Sequence, residues 1–224
     1  MQIAGVNKTS TVDFPGVLSA VLFTPGCNYS CFYCHNRQLL EDAPRQDLRE
    51  VLAFLQKRAG LLDGIVITGG EPTMQEDIAD FIAYIKGLGY AVKLDTNGSN
   101  PQVVRELLDS GHVDYVALDY KVPFELYGEI CGMPADGMRE TLGLLLDSDI
   151  KWEARTTMIP QIRPEKLEEM ASAVPVLPRY VLQQYNPQPG DMRYLKTLLP
   201  YTPSEIRKLA EAVRQWQPHV EALV

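Results

Sequence analysis

Three cysteines stand within eight residues, in the run Cys27-Asn28-Tyr29-Ser30-Cys31-Phe32-Tyr33-Cys34-His35-Asn36. The spacing C-x3-C-x2-C supplies three thiolates and no fourth. An iron–sulfur cube has four irons and is usually held by four cysteines. Three ligands leave one iron open, and an open iron can bind and activate a small molecule. Zinc is the competing reading. A structural zinc takes four ligands, and His35 is at hand, but it directly follows Cys34, and the second C-x2-C of a zinc ribbon is absent. A disulfide framework calls for dispersed cysteines in a small secreted chain, whereas Cys131 lies almost a hundred residues away. The spacing favours the cluster. Cys131 reads as a small buried residue rather than a fourth ligand, and His112 and His219 receive no role.

Further chemistry-bearing residues follow short apolar runs. Gly69-Gly70-Glu71-Pro72 offers a backbone without Cβ obstruction and then a carboxylate, a partner for an ammonium group; a tight turn with a solvated glutamate is the alternative. Asp95-Thr96-Asn97-Gly98 and Asp119-Tyr120-Lys121 each present a carboxylate. Two adjacent carboxylates repel unless a cation joins them, and a ligand amine, a metal ion or Lys121 would serve. Arg155, in Arg155-Thr156-Thr157, would hold a carboxylate or balance charge, or form an ordinary ion pair at a strand end.

The elements that must position these groups alternate. Val17–Thr24, Gly64–Thr68, Ala91–Asp95, Tyr115–Asp119, Trp152–Met158 and Tyr180–Gln184 read as strands. Leu48–Ala59, Asp77–Lys86, Pro101–Leu108, Met138–Leu146, Pro164–Ala173 and Pro203–Trp216 read as helices, with Pro101, Pro164 and Pro203 as helix starters. Tyr185 to Tyr201 is a proline-rich loop. Alternation of this kind implies βαβ units and a parallel sheet. Six units are too few for a closed eight-unit barrel, which takes about 250 residues. The expected fold is α/β, a partial (β/α)6 TIM-like barrel of parallel strands, with a doubly wound sheet as runner-up. The polar motifs then fall at the C-terminal ends of strands, with Arg155-Thr156-Thr157 within the fifth, and that end is where parallel α/β folds carry their active sites.

Composition sets the bounds. The chain has 224 residues, 46% hydrophobic, with a formal charge of −8. That is ordinary globular composition, read as a single domain over residues 1–224. The acidic balance argues against a nucleic-acid surface. No stretch approaches the roughly 20 apolar residues of a membrane span, and the N-terminal residues lack a signal-peptide core. The expected location is the cytoplasm, where thiols stay reduced.

Taken together, these residues resemble the radical S-adenosylmethionine (radical SAM) enzymes. The resemblance rests on Cys27, Cys31 and Cys34, on Tyr33 before the last cysteine, and on Gly69-Gly70-Glu71-Pro72. Ser10-Thr11-Val12-Asp13-Phe14-Pro15-Gly16, Thr24-Pro25-Gly26-Cys27 and Tyr33-Cys34-His35-Asn36 narrow it to glycyl-radical-enzyme activases, most similar to those of anaerobic ribonucleoside-triphosphate reductase. The resemblance implies a 4Fe–4S cluster on the three cysteines and SAM on the open iron. Tyr33 would lie against the adenine, and Gly69, Gly70 and Glu71 would receive the methionine amino end. Asp95, Thr96 and Asp119 would line that end or a monovalent cation, and Lys121 and Arg155 would contact SAM. The implied partners are a glycyl radical enzyme and a flavodoxin- or ferredoxin-type electron donor. The implied alternatives are an activase of pyruvate formate-lyase type and a small-molecule enzyme such as a deazapurine-forming synthase. The relatives' histidine near the sixth strand has no equivalent in Gln184-Tyr185-Asn186-Pro187.

Overall fold

Aliphatic and β-branched runs form the strands, because side chains buried on both faces of a parallel sheet must be apolar throughout. The computed structural model describes residues 1–40, 43, 45–188, 191–195 and 197–224. Its strands are β1 (Gly5–Ser10), β2 (Ser19–Thr24), β3 (Gly64–Gly69), β4 (Ala91–Thr96), β5 (Tyr115–Asp119), β6 (Lys151–Met158), β7 (Tyr180–Gln184) and β8 (Val220–Leu223). The helices are α1 (Leu48–Arg58), α2 (Ile78–Gly87), α3 (Pro101–Asp109), α4 (Tyr127–Ile130), α5 (Asp136–Leu146), α6 (Pro164–Ser172), α7 (Met192–Leu195) and α8 (Pro203–Val213). Each expected strand and helix is present, with ends shifted by a few residues. Of the proline-rich loop, Pro189, Gly190 and Lys196 lie outside the described residues.

The chain divides into two compact units. The first comprises Met1–Asn28, Asn36–Ala117 and Gly137–Lys151, and the second Tyr29–His35, Leu118–Asp136 and Trp152–Val224. The divisions fall on either side of Tyr29–His35 in the cysteine loop, inside β5, after the first residue of α5 and after the first residue of β6. In the first unit β2, β3 and β4 pair in parallel, with Ala20 opposite Ile65 and Ile65 opposite Val92. These three side chains are fully buried, and burial of Ile65 and Val92 stabilises the fold by roughly 1.5–3 kcal/mol each. The strand β1 was not expected; it pairs antiparallel with β2, and its Asn7, Lys8 and Thr9 are exposed, so no apolar run marks it. In the second unit β6, β7 and β8 pair in parallel, and α8 packs on β7, β8 and α6. The strand β8, also unexpected, spans only four residues. Pro101, Pro164 and Pro203 open α3, α6 and α8, where the missing N–H costs nothing. Thr202 and Glu205 close a reciprocal capping box on α8.

One backbone junction fixes the approach to the cysteines. The end of β3 is laced to the segment after β2: Gly70 N–H donates to the Thr24 carbonyl at 2.9 Å and Glu71 N–H to the Gly26 carbonyl at 2.8 Å. Gly69 has φ +122°, and a Cβ there would meet Thr24 N at 2.3 Å. A Cβ on Gly70 would stand 1.7 Å from the Gly26 oxygen. The two glycines thus admit the backbone that leads into Cys27. Gly70→Ala is expected to cost more than about 4 kcal/mol, in the range of severe core overpacking and backbone strain. Gly87→Ala, at the end of α2 with nothing within 4 Å of a new Cβ, is expected to be neutral or stabilising by up to about 1 kcal/mol. Urea denaturation midpoints of the two variants check the contrast.

Candidate active site

Glu71 is a carboxylate with no solvent exposure, and burying a charge is costly unless hydrogen bonds replace water. Four donors do so. Its Oε1 accepts from Thr73 N–H at 3.1 Å, Thr73 Oγ1 at 2.6 Å and Thr96 Oγ1 at 2.7 Å, and its Oε2 from Asn97 N–H at 2.7 Å. Burial pushes its carboxyl above the ordinary range, and these bonds only partly offset that. Glu71 is therefore committed within the fold, tying the turn after β3 to the turn after β4. Asn100 Nδ2 adds a bond to Thr73 Oγ1 at 2.9 Å. Asn97 carries the tie onward, with its Nδ2 3.0 Å from Asn28 Oδ1 and 3.7 Å from Cys27 Sγ. Cys27 thus has Asn97 behind it, a role that a local motif reading missed because the pairing spans 70 residues.

Asp95, on β4, is paired with Lys93 Nζ at 2.7 Å. Lys93 is 2% exposed and sits over the Tyr115 ring at 5.9 Å from its centroid. Residues two apart on a strand share a face, which is why a lysine inside an apolar run reaches the strand-end carboxylate. Lys93 was missed by the sequence reading for that reason: it looked like one polar residue in a strand.

The second unit holds the other two cysteines of the motif. Asp119 accepts from Lys121 Nζ at 3.0 Å on one oxygen and from Arg155 Nη2 at 3.0 Å and Nε at 3.3 Å on the other. Burial alone would raise the Asp119 carboxyl, but the Lys121 and Arg155 charges and hydrogen bonds overcome it and hold it below the usual range. Lys121 is desolvated as well, yet Asp119 and nearby thiols keep its ammonium form well favoured. The carboxylate therefore has two cations of its own. Lys121 is further placed by its backbone N–H, which donates to the Tyr127 hydroxyl at 3.0 Å.

Cys131 is fully buried and its thiol donates to Cys31. The Ser30 N–H donates to the Cys131 carbonyl at 2.9 Å, so backbone and side chain join the same two segments. The Cys131 hydrogen bond outweighs burial, Lys121 helps, and the Cys31 thiol is lowered to about 7. Cys131 itself is pushed far up by that bond and by burial. Cys131 is buried, as expected, but it also serves the motif. Cys34 N–H donates to the Cys31 carbonyl at 3.2 Å. Tyr33 is 5% exposed, and its hydroxyl has no hydrogen-bond partner among the described residues. In the same unit His35, Thr157, Gln183, Gln184 and Asn186 line a cleft of about 330 Å³, and the His35 ring stacks on Tyr185 with 5° between planes.

The Radical SAM superfamily pattern matches residues 21–174. A Methanocaldococcus jannaschii protein provisionally named a glycyl-radical enzyme activating enzyme is 33% identical over 230 residues, covering 97% of this chain and 94% of its own. The chain belongs to the radical SAM superfamily, as a glycyl-radical-enzyme activating enzyme. The pyruvate formate-lyase-activating enzyme of Clostridium pasteurianum is 29% identical over 173 residues, 74% of this chain and 71% of that one. The radical SAM fold is seen in Streptococcus suis SuiB bound to S-adenosylmethionine, with a TM-score of 0.69 at 18% identity over 91% of this chain. The chain spans 52% of the SuiB chain. The likeness fits a partial barrel of parallel strands.

Radical SAM membership implies a 4Fe–4S cluster and SAM. Among the described residues no three His, Cys, Asp or Glu side chains are gathered as a metal site. The donor chemistry nevertheless fits a cluster: none of the four cysteines is in a disulfide, Cys31 is held towards its thiolate, and Asn97 presents an N–H to Cys27. The orphaned Tyr33 hydroxyl fits a polar ligand, since a buried hydroxyl without a partner costs about 1–3 kcal/mol.

Glu71→Ala removes one acceptor for four donors and is expected to lower stability by about 2–4 kcal/mol, read as a drop in the urea midpoint of iron-free protein. Cys131→Ala takes away the thiol that stabilises the Cys31 anion. In iron-free protein, alkylation of Cys31 is expected to be half-maximal near pH 7, and the variant should move that midpoint upward by about one pH unit or more. Mass spectrometry of the alkylated peptide reads the shift.

Proposed function

We propose that this chain makes a glycyl radical in a partner enzyme, anaerobic ribonucleoside-triphosphate reductase. The observation that carries the reading is the three-cysteine motif in a chain matched almost end to end by an activating-enzyme relative. In this reading Cys27, Cys31 and Cys34 hold the 4Fe–4S cluster. When bound, the cluster and SAM would supply hydrogen-abstracting 5′-deoxyadenosyl radical chemistry through one-electron cleavage of the sulfonium, with a glycine Cα of the partner as its target. The electron comes from a flavodoxin- or ferredoxin-type donor.

The residues of the chain bind, orient and exclude water. Gly69 and Gly70 bring the turn before Glu71 against the cysteine segment, so that backbone groups of that turn receive the methionine amino end. Glu71 fixes that turn through its four donors and, with Oε2 accepting a single bond, is the carboxylate of the set that faces the methionine amino end. Thr96 belongs to the same buried network. Lys121 and Arg155 supply positive charge for the SAM carboxylate, and Asp119 keeps both cations in place. Asp95 and Asp119 each carry a cation already, Lys93 for the first and Lys121 with Arg155 for the second; a monovalent ion there has to compete with them. Tyr33 stands against the adenine and its hydroxyl seeks a partner on the ligand. The amides of Gln184 and Asn186 line a cleft of the second unit.

Anaerobic reconstitution with iron and sulfide, followed by dithionite and SAM, is expected to yield 5′-deoxyadenosine. With the candidate reductase added, electron paramagnetic resonance should show a glycyl doublet. Cleavage without a doublet would reject that partner and turn the test to a pyruvate formate-lyase-type enzyme, the class named for the Clostridium relative. Iron-loaded protein that makes no 5′-deoxyadenosine would reject the activity itself. Cys31→Ala is expected to abolish both cluster assembly and cleavage.

A further inference from the structure

The Asn97 side chain is 3% exposed and every polar atom it has is directed. Its Oδ1 accepts from the Ser99 N–H at 2.8 Å. That donor fixes which way the carboxamide faces, because a flipped amide would set an NH2 against an N–H. The Nδ2 group must then point the other way, where it meets Asn28 Oδ1 at 3.0 Å and Cys27 Sγ at 3.7 Å. An amide nitrogen carries two hydrogens, and these two acceptors use both. Asn28 is oriented in turn by donating its own Nδ2 to Ser99 Oγ at 2.8 Å. The backbone beneath is equally fixed. Asn97 N–H donates to Glu71 Oε2 at 2.7 Å, Gly98 N–H to Thr96 Oγ1 at 3.1 Å, and Thr141 Oγ1 to the Gly98 carbonyl at 2.7 Å. A buried carboxylate and a buried threonine hold this turn so that one side-chain N–H faces one sulfur.

We infer that Asn97 tunes the cluster: its carboxamide N–H donates to the Cys27 sulfur and sets the potential at which the cluster accepts an electron, with Glu71 as the anchor that keeps Asn97 in place. The inference rests on Cys27 being a cluster ligand. An N–H aimed at a ligating sulfur draws off part of its negative charge, and hydrogen bonds to the sulfurs are among the determinants of iron–sulfur potentials. The reduced cluster carries one more negative charge than the oxidised one. The bond therefore favours the reduced form and raises the potential. Asn97 is a positioning and tuning residue, acting through Cys27 rather than on substrate.

The experiment uses reconstituted protein without SAM, labelled with 15N at the asparagine side-chain amides. Pulsed electron paramagnetic resonance of the reduced cluster is expected to show a nitrogen coupling in the native protein. The coupling should persist in Asn28→Asp, which keeps the accepting oxygen, and vanish in Asn97→Ser. A redox titration of Asn97→Ser is expected to give a midpoint more negative than native, with the iron content of the loaded fraction unchanged. A merely structural role would lower loading or melting temperature and leave the midpoint of the loaded fraction where it was. A loaded native protein without the nitrogen coupling overturns the inference, as does a coupling that follows Asn28 instead of Asn97, or an unshifted midpoint in loaded Asn97→Ser. Should Asn97→Ser not load, the native and Asn28→Asp spectra still decide. Failure of native protein to load a cluster, or a cluster that forms equally in Cys27→Ala, counts against the ligand assignment instead, so the two failures are distinguishable.

Discussion

A carboxylate removed from water has to be given donors, and at Glu71 that demand shapes the first unit. Its two oxygens take hydrogen bonds from Thr73, Thr96 and Asn97, residues of two different strand-end turns. Neither turn can move without orphaning a buried charge, which costs more than an ordinary hydrogen bond is worth. The glycine junction works on the same side. Gly69 and Gly70 let the end of β3 close onto Thr24 and Gly26, so the segment entering Cys27 inherits the rigidity of the sheet. Precision at the first cysteine is thus obtained from backbone packing on one flank and from a satisfied buried charge on the other.

The second unit reaches a related end by different means. Asp119 is shared between Lys121 and Arg155, which leaves one positive charge in surplus near Cys31. The Cys131 thiol adds a donor to the same sulfur. Charge and hydrogen bond together lower Cys31 towards the thiolate form that binds iron. No local pattern links Cys31 with a cysteine a hundred residues on; only the path of the chain through the second unit does so.

Most of the fold was legible because its determinants are local. Proline at the first helical position announced α3, α6 and α8, and continuous aliphatic runs announced the buried strands. The strands that escaped notice carry neither signal: β1 is a polar edge paired antiparallel, and β8 is four residues long. The division inside β5 was equally invisible, since no linker or change of composition marks it. At the site, strand-end placement pointed to Glu71, Asp95, Thr96, Asp119, Lys121 and Arg155, because parallel α/β folds converge there. The pairing of Asp119 with Lys121 and Arg155 was among the readings of those residues, whereas two other sets of partners were not legible: the four protein donors on Glu71 and Lys93 beside Asp95.

The two ways of stabilising a sulfur anion have different physical consequences. Near Cys31 the stabilisation comes first from the Cys131 thiol and then from the Lys121 charge, and the second part depends on the ion pair staying charged. Asp119 is held below and Lys121 above their ordinary ranges, each by the other's charge after desolvation is overcome, so the arrangement keeps its charge across the neutral range. Near Cys27 the stabilisation comes from a neutral amide, whose dipole has no protonation state to lose and draws no counterion from solvent. The acidic balance of the whole chain, −8, supplies no general positive field, so each sulfur depends on the groups placed beside it.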